Sequence, residues 1–230
     1  MKNQYIGDVN DYVKYALLRT LGSRLRLLVC WMLTPDDGSS DGRNITYFRH
    51  PERYQRFDPE LFQRLGELVA CGERSVSAIE RGRLVPGARF YSHIVPDDLQ
   101  QRRRYFEGLW CAARESDVIF FDPDNGLDIA SVPMGRRNSA KYLYSHELAE
   151  ACERGLSAIV YQHFPRVKRD RFMLEAAAST RDACPNATLL TARTGRVAYL
   201  CFVHRRHRAL FADGWADAAV RFQGLLTDVH

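Results

Sequence analysis

The sequence predicts an α/β domain: a mostly parallel sheet covered by helices on both faces, closed by a C-terminal antiparallel hairpin. Three observations predict it. Continuous apolar runs at residues 26–33, 117–122 and 157–163 read as strands buried on both faces. Amphipathic stretches with helical spacing lie between them, and such alternation builds a parallel sheet. Finally, residues 187–192 and 197–203 are two strands joined by Arg193-Thr194-Gly195-Arg196, a short turn suited to a hairpin.

The elements follow in order. Val9, Tyr12, Val13, Ala16 and Leu17 fall on one face of a helix over 9–21, with Asp8 or Asn10 able to cap it. The strand over 26–33 ends in loop chemistry from Thr34 to Gly42. Helices are expected at 59–69 and 76–81, a strand at 89–95, and a helix carrying residues 102–110 behind the cap Pro96-Asp97-Asp98. After the strand at 117–122 come a helix at 145–154 ended by Gly155, the strand at 157–163, and a helix at 171–184. The 230 residues suit a single domain over 1–230, with room for a helical insertion at about 45–85.

Composition narrows the class. A hydrophobic fraction of 46% and a charged fraction of 27% exclude wholesale disorder. No apolar run is long enough to cross a bilayer, and residues 1–5 lack a signal-peptide core, so a cytoplasmic location and no membrane partner are expected. The cysteines at 30, 71, 111, 152, 184 and 201 form no Cys-x-x-Cys pair; no structural metal site is expected, and all are read as reduced, buried thiols. The net charge of +5 is concentrated in clusters: Arg102 to Arg104, Arg136-Arg137, Arg166 with Lys168, Arg169 and Arg171, and His204 to Arg208. Such clusters neutralise phosphates, which makes RNA or DNA the candidate partner; they say nothing of oligomeric state.

The densest polar group follows the 117–122 strand: Asp122-Pro123-Asp124-Asn125-Gly126. Ligands of open α/β sheets bind outside the carboxyl ends of the strands, so Asp122, Asp124, Asn125 and His163 at the next strand's end are the candidate catalytic residues. Asp, Pro, Asn and Gly also make ordinary turns, and a histidine at a strand end is commonly structural. Two chemistries could use the loop. A carboxylate before a proline accepts a hydrogen bond from an exocyclic amine and positions it for transfer. Alternatively, Asp122, Asp124 and Asp128 hold Mg²⁺ for phosphodiester cleavage, with Lys141 steadying the developing charge.

Two segments carry a resemblance. Gly7-Asp8-Val9-Asn10-Asp11-Tyr12-Val13-Lys14-Tyr15 resembles the Gly-Asn-x-x-Asp-x-x-Lys-His opening of the large-subunit ribosomal RNA adenine-N6 methyltransferases, and Asp122-Pro123 resembles the start of their Asp-Pro-Pro-Tyr motif. The three-Cys-motif partner proteins, with an Asp-Pro-Phe-Gly loop, look distantly similar. The resemblance implies a class I, Rossmann-like methyltransferase sheet, in which a terminal hairpin inserts an antiparallel strand. It implies S-adenosylmethionine as cofactor, with Lys14, Tyr15, Asp36, Gly38 and Asp97 near it and Asp122 in the catalytic position. The chain departs from the pattern twice: Thr34-Pro35-Asp36-Asp37-Gly38 replaces the glycine-rich turn, and Asn125 stands where the adenine enzymes carry an aromatic that stacks on the flipped base. Three functions stay open: a methyltransferase acting on nucleic acid or a related substrate, a Mg²⁺-dependent nuclease, and a non-catalytic nucleic-acid-binding module on the same fold.

Overall fold

Apolar side chains pointing alternately to two faces organise the main sheet. The computed structural model describes residues 1–38, 42–164 and 168–227. Its chain runs α1 (Val9–Gly22), β1 (Leu27–Cys30), α2 (Pro51–Tyr54), α3 (Pro59–Ala70), α4 (Val76–Arg81), β2 (Arg89–Tyr91), α5 (Leu99–Ala112), β3 (Val118–Phe121), β4 (Gly126–Leu127), β5 (Tyr142–Leu143), α6 (Ser145–Glu153), β6 (Ser157–His163), α7 (Arg169–Arg181), β7 (Ala187–Arg193), β8 (Val197–His204) and α8 (Arg208–Arg221). Between β1 and β2 the described residues hold α2, α3, α4 and a short 3₁₀ turn at Thr46–Arg49.

The six strands of the main sheet are ordered β2-β1-β3-β6-β8-β7. Strands β2, β1, β3 and β6 are parallel, whereas β8 runs antiparallel to both β6 and β7. This is an α/β, Rossmann-like sheet with an antiparallel strand inserted near one edge. Strand β3 sits between β1 and β6, with Val29 opposite Phe120 and Phe120 opposite Ile159. Its end is therefore a central position on the rim.

Alternation in β1 and β3 divides the core in two. Leu27, Val29, Val118 and Phe120 join Tyr12, Leu17 and Phe211 on the α1/α8 face. Leu28, Cys30, Ile119 and Phe121 join Leu109 and Leu148 on the α5/α6 face. Each such side chain, taken wholly out of water, stabilises the fold by roughly 1.5–3 kcal/mol. Asp8 caps α1 through the Asn10 N–H at 2.9 Å, and Asp58 caps α3 through the Leu61 N–H at 3.1 Å.

Three features correct the sequence reading. Helix α8 was not expected; Gly214 lies in its middle, and a Cβ there would meet the Leu21 side chain at 3.1 Å. The glycine lets α8 close on α1. A parallel pair, β4 with β5, also escaped notice because each strand has only two residues. Lastly, Cys152 and Cys184 form a disulfide, with Cα atoms 5.7 Å apart, where reduced thiols were expected. Thirty-two residues separate them in sequence, so no local spacing announces the pair. Cys30 and Cys201 are buried free thiols, while Cys71 and Cys111 are exposed. No helix among the described residues is long and apolar enough to cross a membrane.

Candidate active site

The carboxyl ends of β3 and β6 open on a cavity of about 390 Å³, lined among others by Asp11, Lys14, Asp122, Asp124, Asn125 and His163. Helix α1 delivers two of these. Asp11 and Lys14 are three residues apart, hence neighbours on one helical face, and Lys14 Nζ lies 2.7 Å from Asp11 Oδ1. The same ammonium lies 2.7 Å from Asp122 Oδ2, the first residue beyond β3. Around it stand the rings of Tyr161, Tyr15 and Trp31, with centroids at 5.0, 5.1 and 5.8 Å. Lys14 and Asp122 are 0% and 1% exposed, so the pair is a buried one.

Two carboxylates thus share one ammonium. Burial alone would lower the Lys14 pKa, but attraction to Asp11 and Asp122 outweighs it and the net shift is upward. Asp11 moves up as well, to about 6, because desolvation exceeds the pull of Lys14. The cavity wall therefore holds a permanent cation and a carboxylate that titrates near neutrality. Among the described residues, Asp122 Oδ1 has no hydrogen-bond partner, which leaves that oxygen for an incoming donor.

The Met1 segment braces the loop from the other side. Its α-ammonium donates to the carbonyls of Asp122 at 2.9 Å and Met32 at 3.1 Å, and lies 2.7 Å from Asp124 Oδ1. Asp124 Oδ2 also accepts from the Thr34 hydroxyl at 2.6 Å. Burial would raise Asp124, yet the ammonium and the hydroxyl hold it below the usual carboxylate range. Lys2 pairs with Asp37 in the loop after β1.

A glutamine supports the Asp122–Gly126 loop from below. Gln162 on β6 accepts from the Leu127 N–H at 2.8 Å and donates to the carbonyls of Asn125 at 3.0 Å and His163 at 2.7 Å. Gly126 has φ +115, and a Cβ there would lie 2.2 Å from the Gln162 side chain. Only glycine fits this close crossing. His163 lines the cavity with its pKa pulled down by burial, so its imidazole is neutral at pH 7.

The structure brings together Asp122, Asp124, Asn125, His163 and Lys14, and leaves other expected residues outside. Tyr15, Asp36, Gly38 and Asp97 do not line this cavity. Tyr15 packs edge-on against Trp31 behind Lys14. Asp36 accepts from the Gln4 N–H at 3.2 Å, and Gly38 adjoins residues outside the described set. Asp97 is taken up by the Asn138 N–H at 3.1 Å, the Ser139 hydroxyl at 2.9 Å and the Ala140 N–H at 2.6 Å. The three-carboxylate metal reading also fails on geometry. Asp128 accepts from the N–H and hydroxyl of Ser145 at 3.0 Å, and no group of three metal-ligating side chains converges among the described residues. Lys141 meets the loop through its carbonyl, which accepts from Asn125 N–H at 2.9 Å, rather than through its ammonium.

The basic clusters are partly spent. Arg102 is buried against Glu147, and His207 is buried against the Ser157 hydroxyl at 2.9 Å. Arg103, Arg104, Arg136, Arg137, Lys168, Arg169 and Arg171 are exposed, and Arg166 lies outside the described residues. Asp8, Asp11 and Arg196, which line the cavity, were missed as site residues. The Asp11–Lys14 spacing was the available signal; Arg196, in a hairpin turn, gave none.

No family model matches the chain, and no curated protein matches it. Among solved structures, human methyltransferase-like protein 13 in complex with SAH is 19% identical over 91% of this chain and 88% of that chain, with a TM-score of 0.32. A likeness at that score adds nothing to what the strand order already establishes.

Proposed function

We propose that this chain is an S-adenosylmethionine-dependent methyltransferase that modifies an amine of a nucleic acid or related substrate, with Asp122 as the positioning carboxylate. The observation that carries the reading is the Lys14–Asp122 pair, buried at a central position on the sheet rim and opening into a cavity. The resemblance joined just those two segments, which lie 108 residues apart in sequence.

The cavity suits the cofactor in size and charge. At about 390 Å³ it falls within the usual roughly 300–1,000 Å³ of small-molecule sites. Asp8, Asp11 and Asp124 offer negative charge to an ammonium and a sulfonium, while Arg196, which also lines the cavity, offers positive charge to a carboxylate. S-adenosylmethionine, when bound, supplies an electrophilic methyl group on a positively charged sulfur. Lys14 fixes one oxygen of Asp122, and the other accepts a hydrogen bond from the acceptor amine and turns its lone pair toward the methyl. Negative charge there also stabilises the cation that develops on nitrogen, whose surplus proton passes to water.

A thermal-shift panel of S-adenosylmethionine, S-adenosylhomocysteine and Mg²⁺ tests this. Ligand at 100 times its Kd stabilises the folded state by about 2.7 kcal/mol, so either nucleoside raises Tm by several degrees. An unchanged Tm at millimolar S-adenosylhomocysteine contradicts it.

One observation favours a second reading, a nucleic-acid-binding module without chemistry. Met1 and Lys2 lie across the ends of β1 and β3, tied to Asp124 and Asp37, where a cofactor would have to share the space. Such a module binds oligonucleotides with an affinity that Asp122→Ala leaves unchanged.

A further inference from the structure

The consecutive helices α6 and α7 are packed very unequally. Helix α6 is anchored: Leu148 and Ala151 are fully buried, and Glu147 is buried in its pair with Arg102. Among the described side chains of α7 only Ala176 is buried; Phe172 and Met173 are half-buried, and Leu174 is 74% exposed. The ion pairs of α7, Arg171 with Glu175 and Arg193 with Asp170, have exposed carboxylates, and exposed pairs add little. A helix that buries so little apolar surface gains little from leaving water and opens readily.

One covalent bond ties the loose helix to the firm one. Cys152 sits in the last turn of α6, and Cys184, just beyond α7, is bonded to it. What α7 covers is a chamber of about 400 Å³, lined by its Phe172, Glu175 and Ala176 together with Asn125 and His163. Those last two residues also line the Lys14–Asp122 cavity, so the seating of α7 bears on a wall of the candidate site. The two sulfurs are placed differently. Cys184 is 4% exposed whereas Cys152 is half-buried, so an external thiolate meets Cys152 first. Cys184 Sγ lies 3.9 Å from the Leu148 carbonyl oxygen, which can receive the S–H once that thiol is free.

We propose that Cys152–Cys184 is a thiol–disulfide exchange site for a dithiol, and that its state sets how firmly α7 closes the chamber behind Asn125 and His163. A thiolate of the dithiol attacks Cys152 Sγ, the S–S bond breaks, and Cys184 leaves as a thiolate that takes up a proton. The dithiol's second thiolate then attacks its own sulfur in the mixed disulfide; Cys152 leaves and takes up the other proton. Two electrons pass from the dithiol, which becomes a disulfide, to the two cysteines. With the bond closed, α7 must unwind to leave the sheet, because its far end is fixed to α6. With the bond open, α7 and the turn through Cys184 move out together, held by the chain at β6 and β7. The assignment holds whatever the Lys14–Asp122 cavity binds.

Hydrogen exchange read by mass spectrometry tests this on the full chain, air-oxidised and after treatment without denaturant with dithiothreitol or with thioredoxin. Alkylation and peptide mapping after each treatment find Cys152 and Cys184 blocked in the oxidised protein and alkylated in the reduced one. Amides of α7 exchange at least tenfold faster once the bond is reduced, while those of α6 and β6 change less than twofold. The variant Cys152→Ala with Cys184→Ala exchanges as the reduced parent does, with or without dithiol; if it fails to fold, the two states of the parent decide. Reduction by dithiothreitol alone identifies a small dithiol as the partner, and reduction by thioredoxin as well identifies a protein dithiol; either supports the proposal. Three results overturn it. The two cysteines are not bonded in the oxidised chain, the bond resists both dithiols in the folded protein, or reduction leaves α7 exchanging no faster relative to α6 and β6 than before.

Discussion

Two ion pairs are buried on opposite faces of this sheet, and their differences separate a structural charge from a candidate functional one. On the α5/α6 face, Arg102 meets Glu147 at 2.6 Å through Nε, and a second nitrogen reaches the other carboxylate oxygen at 2.9 Å. Further donors go to the carbonyls of Tyr142 at 2.7 Å and Ser139 at 3.3 Å. One cation faces one anion, and four of the five guanidinium N–H groups are in these bonds. On the α1 face, Lys14 faces both Asp11 and Asp122, and one Asp122 oxygen is left over. Cavity size alone would choose the other face, since the groove beside Arg102 measures about 650 Å³ against about 390 Å³ at Lys14. Charge imbalance, together with an open face, is what makes the Lys14 cavity the candidate.

The largest expected effect breaks the balanced pair. Arg102→Leu strands the Glu147 carboxylate and lowers unfolding free energy by about 3–5 kcal/mol in a denaturant titration. Arg102→Leu with Glu147→Leu recovers most of that loss. At the unbalanced pair, stability and function should part. Asp122→Asn leaves Lys14 its bond to Asp11, so the protein stays folded while methyl transfer falls by at least about 100-fold, a misplaced-acceptor effect seen in kcat.

Much of this frame is legible in the sequence, for physical reasons that differ by region. Strand β6 falls at 157–163 as its continuous apolar run requires, and α1 begins where Asp8 can cap it. Lys14 and Asp122 were expected near each other from the resemblance, and they are in contact. What stayed hidden depends on tertiary approach. Nothing local tells that Gly214 is small because Leu21 lies against it, or that Cys184 returns to Cys152. Nor does sequence reveal that Asp97 is consumed by residues 138–140, which are brought there by the fold. The Gln162 strut is equally silent, because nothing in the strand's sequence tells that its side chain turns to the loop backbone.

That strut gives the next test. Gln162→Leu leaves the loop backbone at residues 125–127 unsatisfied and destabilises the protein by about 2 kcal/mol, measured as a lower denaturation midpoint. If the loop is the site, the variant also raises KM for the acceptor; if it is only a turn, binding is untouched.

The smallest effect concerns pH. Asp11 titrates at about 6, above the ordinary carboxylate value, so the folded chain keeps this proton longer than the unfolded one. Its contribution to stability therefore falls as pH rises from about 4 to about 6. Ligand binding runs the other way. Protonation below about 6 removes one negative charge from the cavity and weakens a cationic sulfonium ligand by about 5-fold, the size of a 1 kcal/mol charge interaction. Titrating S-adenosylmethionine from pH 8 down to pH 5 should show that loss in the parent protein and a flat profile in Asp11→Asn.

Calorimetric titration of S-adenosylhomocysteine into the full chain, beside its Lys14→Met variant, bears most directly on the rim cavity as a cofactor site. Micromolar binding by the parent and at least tenfold weaker binding by the folded variant is the predicted result. Absence of any heat at millimolar ligand in the folded parent would contradict it.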